Sequence, residues 1–285
     1  KKRQLQARMD AWTAELTQGR LPAELRPFLK EFLYKPDRNK AEIKALERAC
    51  EATALSPARL VERCGELPSS HDYHVGRFLH EFFPRGIAFP QELRGSMSAE
   101  LPVAQVSAFS LDDAGTTEID DAFSITPLGD GRIRIGIHIA APGLGFPRGS
   151  GLDAVARGRL STVYFPGSKI TMLPPAVIQQ FSLAEGSSHP AVSLYLDVLE
   201  QGFEIQNRHS VVEMLPMAAN IRHHETELLD RIFAAGEAVP ELPYAHELHF
   251  LWRFATSLEA ARGKPSNMPE RPEYSFHVED EQVRI

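Results

Sequence analysis

Apolar residues recur at helical spacing through the first 83 residues of the chain. Ser56 followed by Pro57 is a strong helix start, and Gly65 is a strong helix stop. The stripes lie at Leu5, Met9, Trp12 and Leu16, and then at Leu25, Phe28, Leu29, Phe32 and Leu33. This pattern predicts an all-helical region that ends in three short helices, at residues 41–52, 56–64 and 70–83.

Three short helices joined by tight turns are typical of a helix-turn-helix or winged-helix module. Small helical bundles without a nucleic-acid function have the same pattern, so both interpretations stay open. Residues 84–102 are rich in proline and glycine, which predicts an interdomain linker. We therefore expect a helical domain at residues 1–95 and a second domain at residues 96–285.

The second domain has strand periodicity. Residues 103–109 are β-prone, residues 122–127 and 132–140 flank a Gly-Asp-Gly turn, and residues 191–199 and 203–214 predict another hairpin. Isoleucine alternates with small or polar residues along 132–140, which predicts one buried face. Helical patterns occupy residues 152–159, 175–181, 223–234 and 243–262. The expected fold class is α+β, with helices followed by a mixed α/β domain.

The composition is that of an ordinary globular protein, with 43% hydrophobic and 24% charged residues among 285. No apolar run or signal core occurs, so we expect a cytoplasmic protein without membrane contact. Cys50 and Cys64 are the two cysteines and lie at apolar helical positions, which favours core packing over a disulfide or zinc role. A net charge of −7 is unfavourable for indiscriminate nucleic-acid binding, yet it allows a local basic groove.

One segment concentrates acidic residues. Asp112, Asp113, Glu118, Asp120 and Asp121 lie within ten positions, between the two predicted strands at 103–109 and 122–127. We expect Asp112 to return from the preceding turn, so that these carboxylates converge. An acidic surface loop would have the same composition. Carboxylates held this close repel one another, and a hard cation such as Mg²⁺ between them would account for the cluster and indicate chemistry on a phosphate.

Four stretches in this order resemble the catalytic domain of the ribonuclease II family. The first is the acidic segment itself, followed by Ala122-Phe123-Ser124. The others are Gly136-Ile-His-Ile-Ala140, Thr162-Val-Tyr-Phe-Pro-Gly167 with Ile170-Thr-Met-Leu-Pro174, and Glu270-Arg-Pro-Glu-Tyr-Ser-Phe276. The resemblance covers roughly residues 103 to 285.

The resemblance implies a processive, hydrolytic 3′-to-5′ exoribonuclease that degrades single-stranded RNA to nucleoside 5′-monophosphates with Mg²⁺. It also implies that Asp112, Glu118, Asp120 and Asp121 bind the metal, directly or through water. Asp120 is then the carboxylate most critical to the chemical step. Tyr164 is expected to orient the 3′-terminal nucleotide, as aromatic rings do for single strands.

Several positions depart from the family pattern. Glu118 stands where Asp is usual, which favours a water-mediated metal contact. Ala141-Pro142 replaces a usual Asp, and Met268 falls where close relatives place an aromatic that clamps the terminal base. The family's amino-terminal barrels are replaced by helices. Its phosphate-gripping arginines and carboxyl-terminal RNA-binding barrel are not found before Ile285, so we expect an incomplete catalytic domain that is inactive as an isolated fragment.

Two basic residues near the tyrosine stretch, Arg157 and Lys169, are candidate contacts for RNA phosphates, although a solvated face is the competing interpretation. We expect a monomer whose helical domain contacts further nucleic acid or a protein. Two other functions remain open. One is a catalytically impaired RNA-binding regulator of the same fold, and the other is a helix-turn-helix DNA-binding regulator with a metal-sensing body.

Overall fold

A computed structural model describes residues 2–90, 93, 95–96, 100–223, 226–234, 239, 242–263, 274, 277–279 and 282–284. The chain divides into two compact units, residues 1–88 and 89–285. The proline-rich segment predicted as a linker belongs in part to the second unit. There Leu93 packs beside Leu152 and Phe181, and the amide of Ser96 donates to the carbonyl of Gly145 at 2.8 Å.

The first unit is helical, as predicted. It contains α1 (Lys2–Thr17), a 3-10 helix (Ala23–Phe28), α2 (Leu29–Tyr34), α3 (Ala41–Thr53), α4 (Pro57–Arg63) and α5 (Ser70–Phe82). The side chain of Ser56 caps α4 by accepting from the amide of Arg59. Residues 2–88 include no strand. The helix-turn-helix interpretation of this unit, and its contacts with nucleic acid or a partner, stay predictions.

The predicted stripes of the first unit form its core, except that Leu5 of the first stripe is exposed. Met9, Trp12 and Leu16 of α1 pack with Ile43 and Leu46 of α3. Both cysteines pack against this cluster, as the sequence predicts, and neither forms a disulfide. Burial raises the pKa of the Cys50 thiol to about 11, so this thiol stays protonated at neutral pH.

The second unit is built on a closed barrel. Its strands are β1 (Ala108–Asp113), β2 (Asp121–Gly129), β3 (Arg132–Ala140), β4 (Val163–Phe165), β5 (Ser168–Ile170), β6 (Ser188–Leu199), β7 (Ile205–His223), β8 (His277–Glu279) and β9 (Gln282–Arg284). Its helices are α6 (Gly151–Arg159), α7 (Pro175–Phe181), α8 (Thr226–Ala234) and α9 (Ala245–Ala261), with a 3-10 helix at Pro142–Gly145. The barrel order is β1-β2-β3-β6-β7, and parallel pairing of β1 with β7 closes it. The α+β prediction is confirmed.

The two predicted hairpins are confirmed, whereas the first strand lies later in the chain than predicted. The turn between β2 and β3 places Gly129, Asp130 and Gly131 at positive φ, and β6 pairs with β7 as expected. The strand predicted at residues 103–109 instead begins at Ala108 and continues to Asp113. Val103 is exposed and makes one isolated bridge to Met214 of β7. The strand β1, which follows it in the chain, pairs with both β2 and β7. Asp112 is therefore a strand residue and does not return from a turn.

Both faces of β3 are buried, in contrast to the single face expected from its alternation. Ile135 packs on the outside of the barrel with Leu196 and Phe254, the last of which lies in α9. His138 points to the opposite face and is fully buried. The reason is barrel closure, because it turns the face carrying glycine and histidine into an enclosed interior.

The barrel interior contains a polar network. The His138 ring lies between two serine hydroxyls, 2.9 Å from Ser124 Oγ and 2.7 Å from Ser193 Oγ. The Tyr195 hydroxyl donates to Glu213 at 2.7 Å. Gly136 is required here, because a Cβ at this position would clash with Ser124 Oγ and with the His138 ring. The network leaves no buried side-chain polar atom among the described residues without a hydrogen-bond partner.

The buried histidine predicts a pH-dependent stability. Burial lowers the pKa of His138 from its ordinary 6.5 to about 4, against a weaker opposing effect of Glu213. Between pH 6.5 and about 4, His138 is protonated in the unfolded chain and stays neutral in the folded chain. We therefore expect His138 to reduce the free energy of unfolding by about 1.4 kcal/mol per pH unit as pH falls from 6.5 towards 4. Urea titrations of the wild type and His138→Gln measure this, and equal pH slopes would contradict it.

Among the described residues, no helix has both the length and the apolar character needed to cross a lipid bilayer.

Candidate active site

The acidic loop between β1 and β2 is anchored by Ile119. This side chain is buried in a cluster with Leu183 and Met217. Its carbonyl accepts from the amide of Leu183 at 2.9 Å, and its amide donates to Ser182 Oγ at 2.8 Å. The next carbonyl, of Asp120, accepts from the amide of Ala140. Because Ile119 points inward, the residues on either side of it are held at the surface of the barrel rim.

Two residues of β7 support the other half of the loop. Arg222 Nη1 donates to the carbonyls of Asp113 and Thr116, at 3.3 and 2.9 Å. Asn220 donates to Ser110 Oγ, and Ser110 in turn donates to the Asp112 carboxylate at 2.6 Å. The parallel pairing of β1 with β7 therefore positions both the loop backbone and the Asp112 side chain.

The predicted carboxylates are close enough to influence one another. The pKa of Asp120 is raised, first by desolvation and then by the negative charges of Glu118, Asp121 and Asp112, while Lys169 opposes this effect. Desolvation and the charge of Asp112 also raise the pKa of Asp121. These shifts indicate that Asp120 lies close enough to the three other acids to be influenced by their charges, and the assignment of the four residues to a metal site stays a prediction.

Lys169 joins the acidic loop to the tyrosine stretch. Its ammonium donates to the Glu118 carboxylate and to Thr117 Oγ1, the latter at 2.9 Å. Tyr164 lies directly opposite Lys169 in the β4–β5 hairpin, and the ammonium is 6.0 Å from its ring centroid. Tyr164 is 68% exposed, so its ring is available to a ligand beside the carboxylates.

A cleft of about 260 Å³ opens next to the acidic loop. Glu118 and Asp120 line one side of it. The remaining lining is largely apolar and comprises Ile139, Ala140, Pro142, Thr162, Met172, Leu173, Ile178, Phe181 and Ser182. Ile139 is 48% exposed although it belongs to a barrel strand, because it faces this cleft. The apolar lining suits a ligand with a ring, and an anionic group on that ligand would need a cation between it and the two carboxylates.

The other predicted RNA-contacting residues are not all brought to this site. Arg157 is exposed in the last turn of α6. Its neighbour Arg159 donates to the carbonyl of Thr171 and stacks over Phe89 at 3.7 Å, so Arg159 supports the fold. Met268 lies outside the described residues, as does all of the 270–276 stretch except Tyr274.

The donor set suits a hard cation in its chemistry. Asp112, Glu118, Asp120 and Asp121 offer only carboxylate oxygens, and desolvation followed by the charges of the other three raises the pKa of Asp120. A divalent cation would relieve that repulsion. In the described part of the chain, however, no group of three or more carboxylate, histidine or cysteine side chains is already arranged to bind a metal. Glu118 is engaged with Lys169 instead.

Sequence reasoning missed the supporting residues. Arg222, Asn220 and Ser182 hold the acidic loop, yet each is far from it in the chain and carries no motif. Only the pairing of β7 with β1 brings the first two into place. Strand register was the signal that could have identified Arg222 and Asn220.

The domain is a mixed barrel with carboxylates at one rim and a tyrosine hairpin beside them. This arrangement agrees with the ribonuclease II resemblance found in the sequence. Residues 102–285 match the RNB domain model, and the chain belongs to this family.

Curated relatives agree with this assignment. The chain is similar to ribonuclease R of Chlamydia muridarum, with 29% identity over 48% of this chain and 19% of that protein. It is also similar to exoribonuclease 2 of Photorhabdus laumondii, with 36% identity over 33% of this chain and 14% of that protein. The chain thus matches under a fifth of the length of each of these two relatives.

Solved structures share the fold. An active-site mutant of the Dss1 exoribonuclease from Candida glabrata superimposes with a TM-score of 0.67 and 16% identity, covering 92% of this chain and 39% of that one. That coverage is more than residues 89–285 comprise, so it includes part of the helical unit. Yeast Ssd1, described as a pseudonuclease, has a TM-score of 0.56 and 17% identity over 70% of this chain and 25% of that one.

Proposed function

We propose that this chain carries the acidic part of the active site of a Mg²⁺-dependent, hydrolytic 3′-to-5′ exoribonuclease. The substrate is single-stranded RNA and the products are nucleoside 5′-monophosphates. The observation that supports this most is the position of Asp120, which lines the cleft together with Glu118, interacts electrostatically with Asp112, Glu118 and Asp121, and lies on the same side of the domain as the exposed Tyr164 ring that Lys169 links to Glu118. Family membership supports the same reaction class.

In this proposal the carboxylates of Asp112, Asp120 and Asp121, together with Glu118, hold the magnesium. When bound, the metal neutralises charge on the phosphate and favours attack by water. Asp120 is the carboxylate nearest to the chemistry, since it both lines the cleft and interacts with the three other acids. The rigid anchoring of Ile119 keeps it in place during the reaction.

The cleft and the hairpin would hold the substrate. The apolar cleft wall accommodates a nucleotide, and Tyr164 stacks on the 3′-terminal base. Arg157 is proposed to face RNA phosphates, and Met268 to contact the terminal base. The Lys169 ammonium is engaged with Glu118 and Thr117. We also propose that the protein is a monomer and that it is cytoplasmic.

A catalytically impaired RNA-binding protein of the same fold is the second candidate. One observation favours it, namely that the Glu118 carboxylate is occupied by Lys169. The fold does not discriminate, since both the exoribonuclease Dss1 and the pseudonuclease Ssd1 share it.

The deciding experiment incubates the full-length protein carrying this chain with a 3′-extended single-stranded RNA and Mg²⁺. Accumulation of nucleoside 5′-monophosphates that stops on chelation supports the exoribonuclease. Binding of intact RNA without cleavage supports the second candidate. Tight, sequence-specific binding of duplex DNA without hydrolysis would favour the DNA-binding regulator.

Removing the tyrosine ring tests its stacking role. We expect Tyr164→Ala to weaken RNA binding by about 10- to 100-fold, since stacking of one base on an aromatic ring contributes about 1–3 kcal/mol. The melting temperature should stay unchanged because the side chain is exposed. Fluorescence anisotropy with chelator present measures the affinity, and Tyr164→Phe is the matched control that retains the ring. Equal affinity of the Ala variant and the wild type would contradict the role.

A further inference from the structure

We propose that Lys169 is a positioning residue, whose ion pair with Glu118 fixes the β4–β5 hairpin, and with it Tyr164, against the acidic loop. The structural part of this inference stands by itself, and its consequence for RNA rests on the proposed function. Glu118 then anchors the hairpin in addition to its place in the acidic cluster.

The hairpin needs an anchor because it is small. β4 and β5 pair only with each other and form a separate two-stranded sheet. Two strands alone are marginally stable in water. The base of the hairpin is held where Arg159 donates to the carbonyl of Thr171 and where Ile170 is buried. Tyr164 lies further along the hairpin and is exposed.

Lys169 supplies that anchor. It stands directly opposite Tyr164, and residues opposite each other in an antiparallel pair project from the same face. Its ammonium bonds to two residues of the acidic loop, Glu118 and Thr117. The side chains of Lys169 and Glu118 are only 31% and 13% exposed, so solvent screens this ion pair less than a surface pair.

The length of the Glu118 side chain matters. This residue reaches across to the hairpin, and an aspartate at this position would be one methylene shorter. The pair also places a positive charge near Asp120, where it opposes the rise of that carboxyl's pKa. The longer acid and the lysine thus act together as a fixed link between two segments that are far apart in the chain.

Hydrogen–deuterium exchange of residues 163–170, measured without RNA or metal, tests the link. We expect about tenfold faster exchange in Lys169→Met and in Glu118→Asp, since a hydrogen bond to a charged group is lost in both. Lys169→Arg should restore protection because it keeps the charge and the donors. Arg132→Met removes an exposed charge at the far end of β3 and should exchange like the wild type. Wild-type exchange in both Lys169→Met and Glu118→Asp would overturn the proposal.

The second measurement is the affinity of each variant for RNA in the presence of chelator. Lys169→Met and Glu118→Asp should weaken binding to the same extent, about tenfold, because both release the same hairpin. If Lys169→Met weakens binding while the hairpin stays protected, Lys169 is a phosphate contact and the proposal is wrong. If the wild type binds no RNA, the proposed function fails, while the exchange result still decides whether the link exists.

Discussion

We expect Asp120→Asn to lower the rate of RNA hydrolysis by about 10³-fold while RNA binding is retained. The size is that of removing one group that acts on the transition state. Asp120 is the acid that both lines the cleft and interacts with the other three carboxylates. Asparagine has nearly the same shape, so the loss reports the missing negative charge and leaves the fold intact. Release of nucleoside 5′-monophosphates under Mg²⁺ measures the rate.

The same variant should not lose stability. Desolvation and neighbouring acids raise the pKa of Asp120, so its ionised form disfavours folding at neutral pH. A neutral asparagine removes that repulsion, and the melting temperature should stay the same or rise. Asp130→Asn is the matched control, since it removes one acidic charge at the hairpin tip between β2 and β3, where φ is positive and asparagine is tolerated. A fall in melting temperature without loss of rate would contradict both expectations.

The second large effect is expected at Ile119. Ile119→Ala should cost about 2–5 kcal/mol of unfolding free energy, the usual range for truncating a buried isoleucine. It should also lower activity, since Ile119 is the buried residue between Glu118 and Asp120 and its anchoring fixes both carboxylates. A displacement of about 1 Å at a reacting group can cost about 10²-fold in rate. Denaturant titration measures the stability, and the hydrolysis assay well below the melting temperature measures the rate.

Ile135→Ala separates the two effects. Ile135 is as fully buried as Ile119, but it packs against α9 on the outside of the barrel. The Ile135→Ala variant should lower the free energy of unfolding by a similar amount and leave the hydrolysis rate of the folded protein unchanged. Equal activity of Ile119→Ala and Ile135→Ala at matched folded fractions would show that the anchoring of Ile119 does not position the carboxylates.

Local sequence signals predicted most elements because each element has its own periodicity and boundary residues. Ser56-Pro57 starts α4, and Gly129-Asp130-Gly131 turns β2 into β3. The misplaced first strand shows the limit of this reasoning. Residues 103–109 are β-prone, yet the strand runs from Ala108 to Asp113 because continuous pairing with β2 and β7 occurs there, whereas Val103 makes a single bridge to β7.

Some residues of the candidate site could likewise be predicted from the sequence, and others could not. The acidic residues could be predicted from their density, and Tyr164 from the family pattern. The link between Lys169 and Glu118 could not, because the two residues are 51 positions apart and no motif joins them. Arg222 and Asn220 were equally hidden, as their place beside the acidic loop depends on the register of β7 against β1.

By itself, the sequence determined the helical first unit, the hairpins, the acidic cluster and the family, since these depend on local periodicity and on motifs close together in the chain. Only the tertiary structure decided which charges meet. Closing the barrel enclosed His138, placed Asp112 in a strand beside Arg222, and brought Lys169 to Glu118. The physical reason is that electrostatic and hydrogen-bond partners are selected by distance in space, and pairing between distant strands sets that distance.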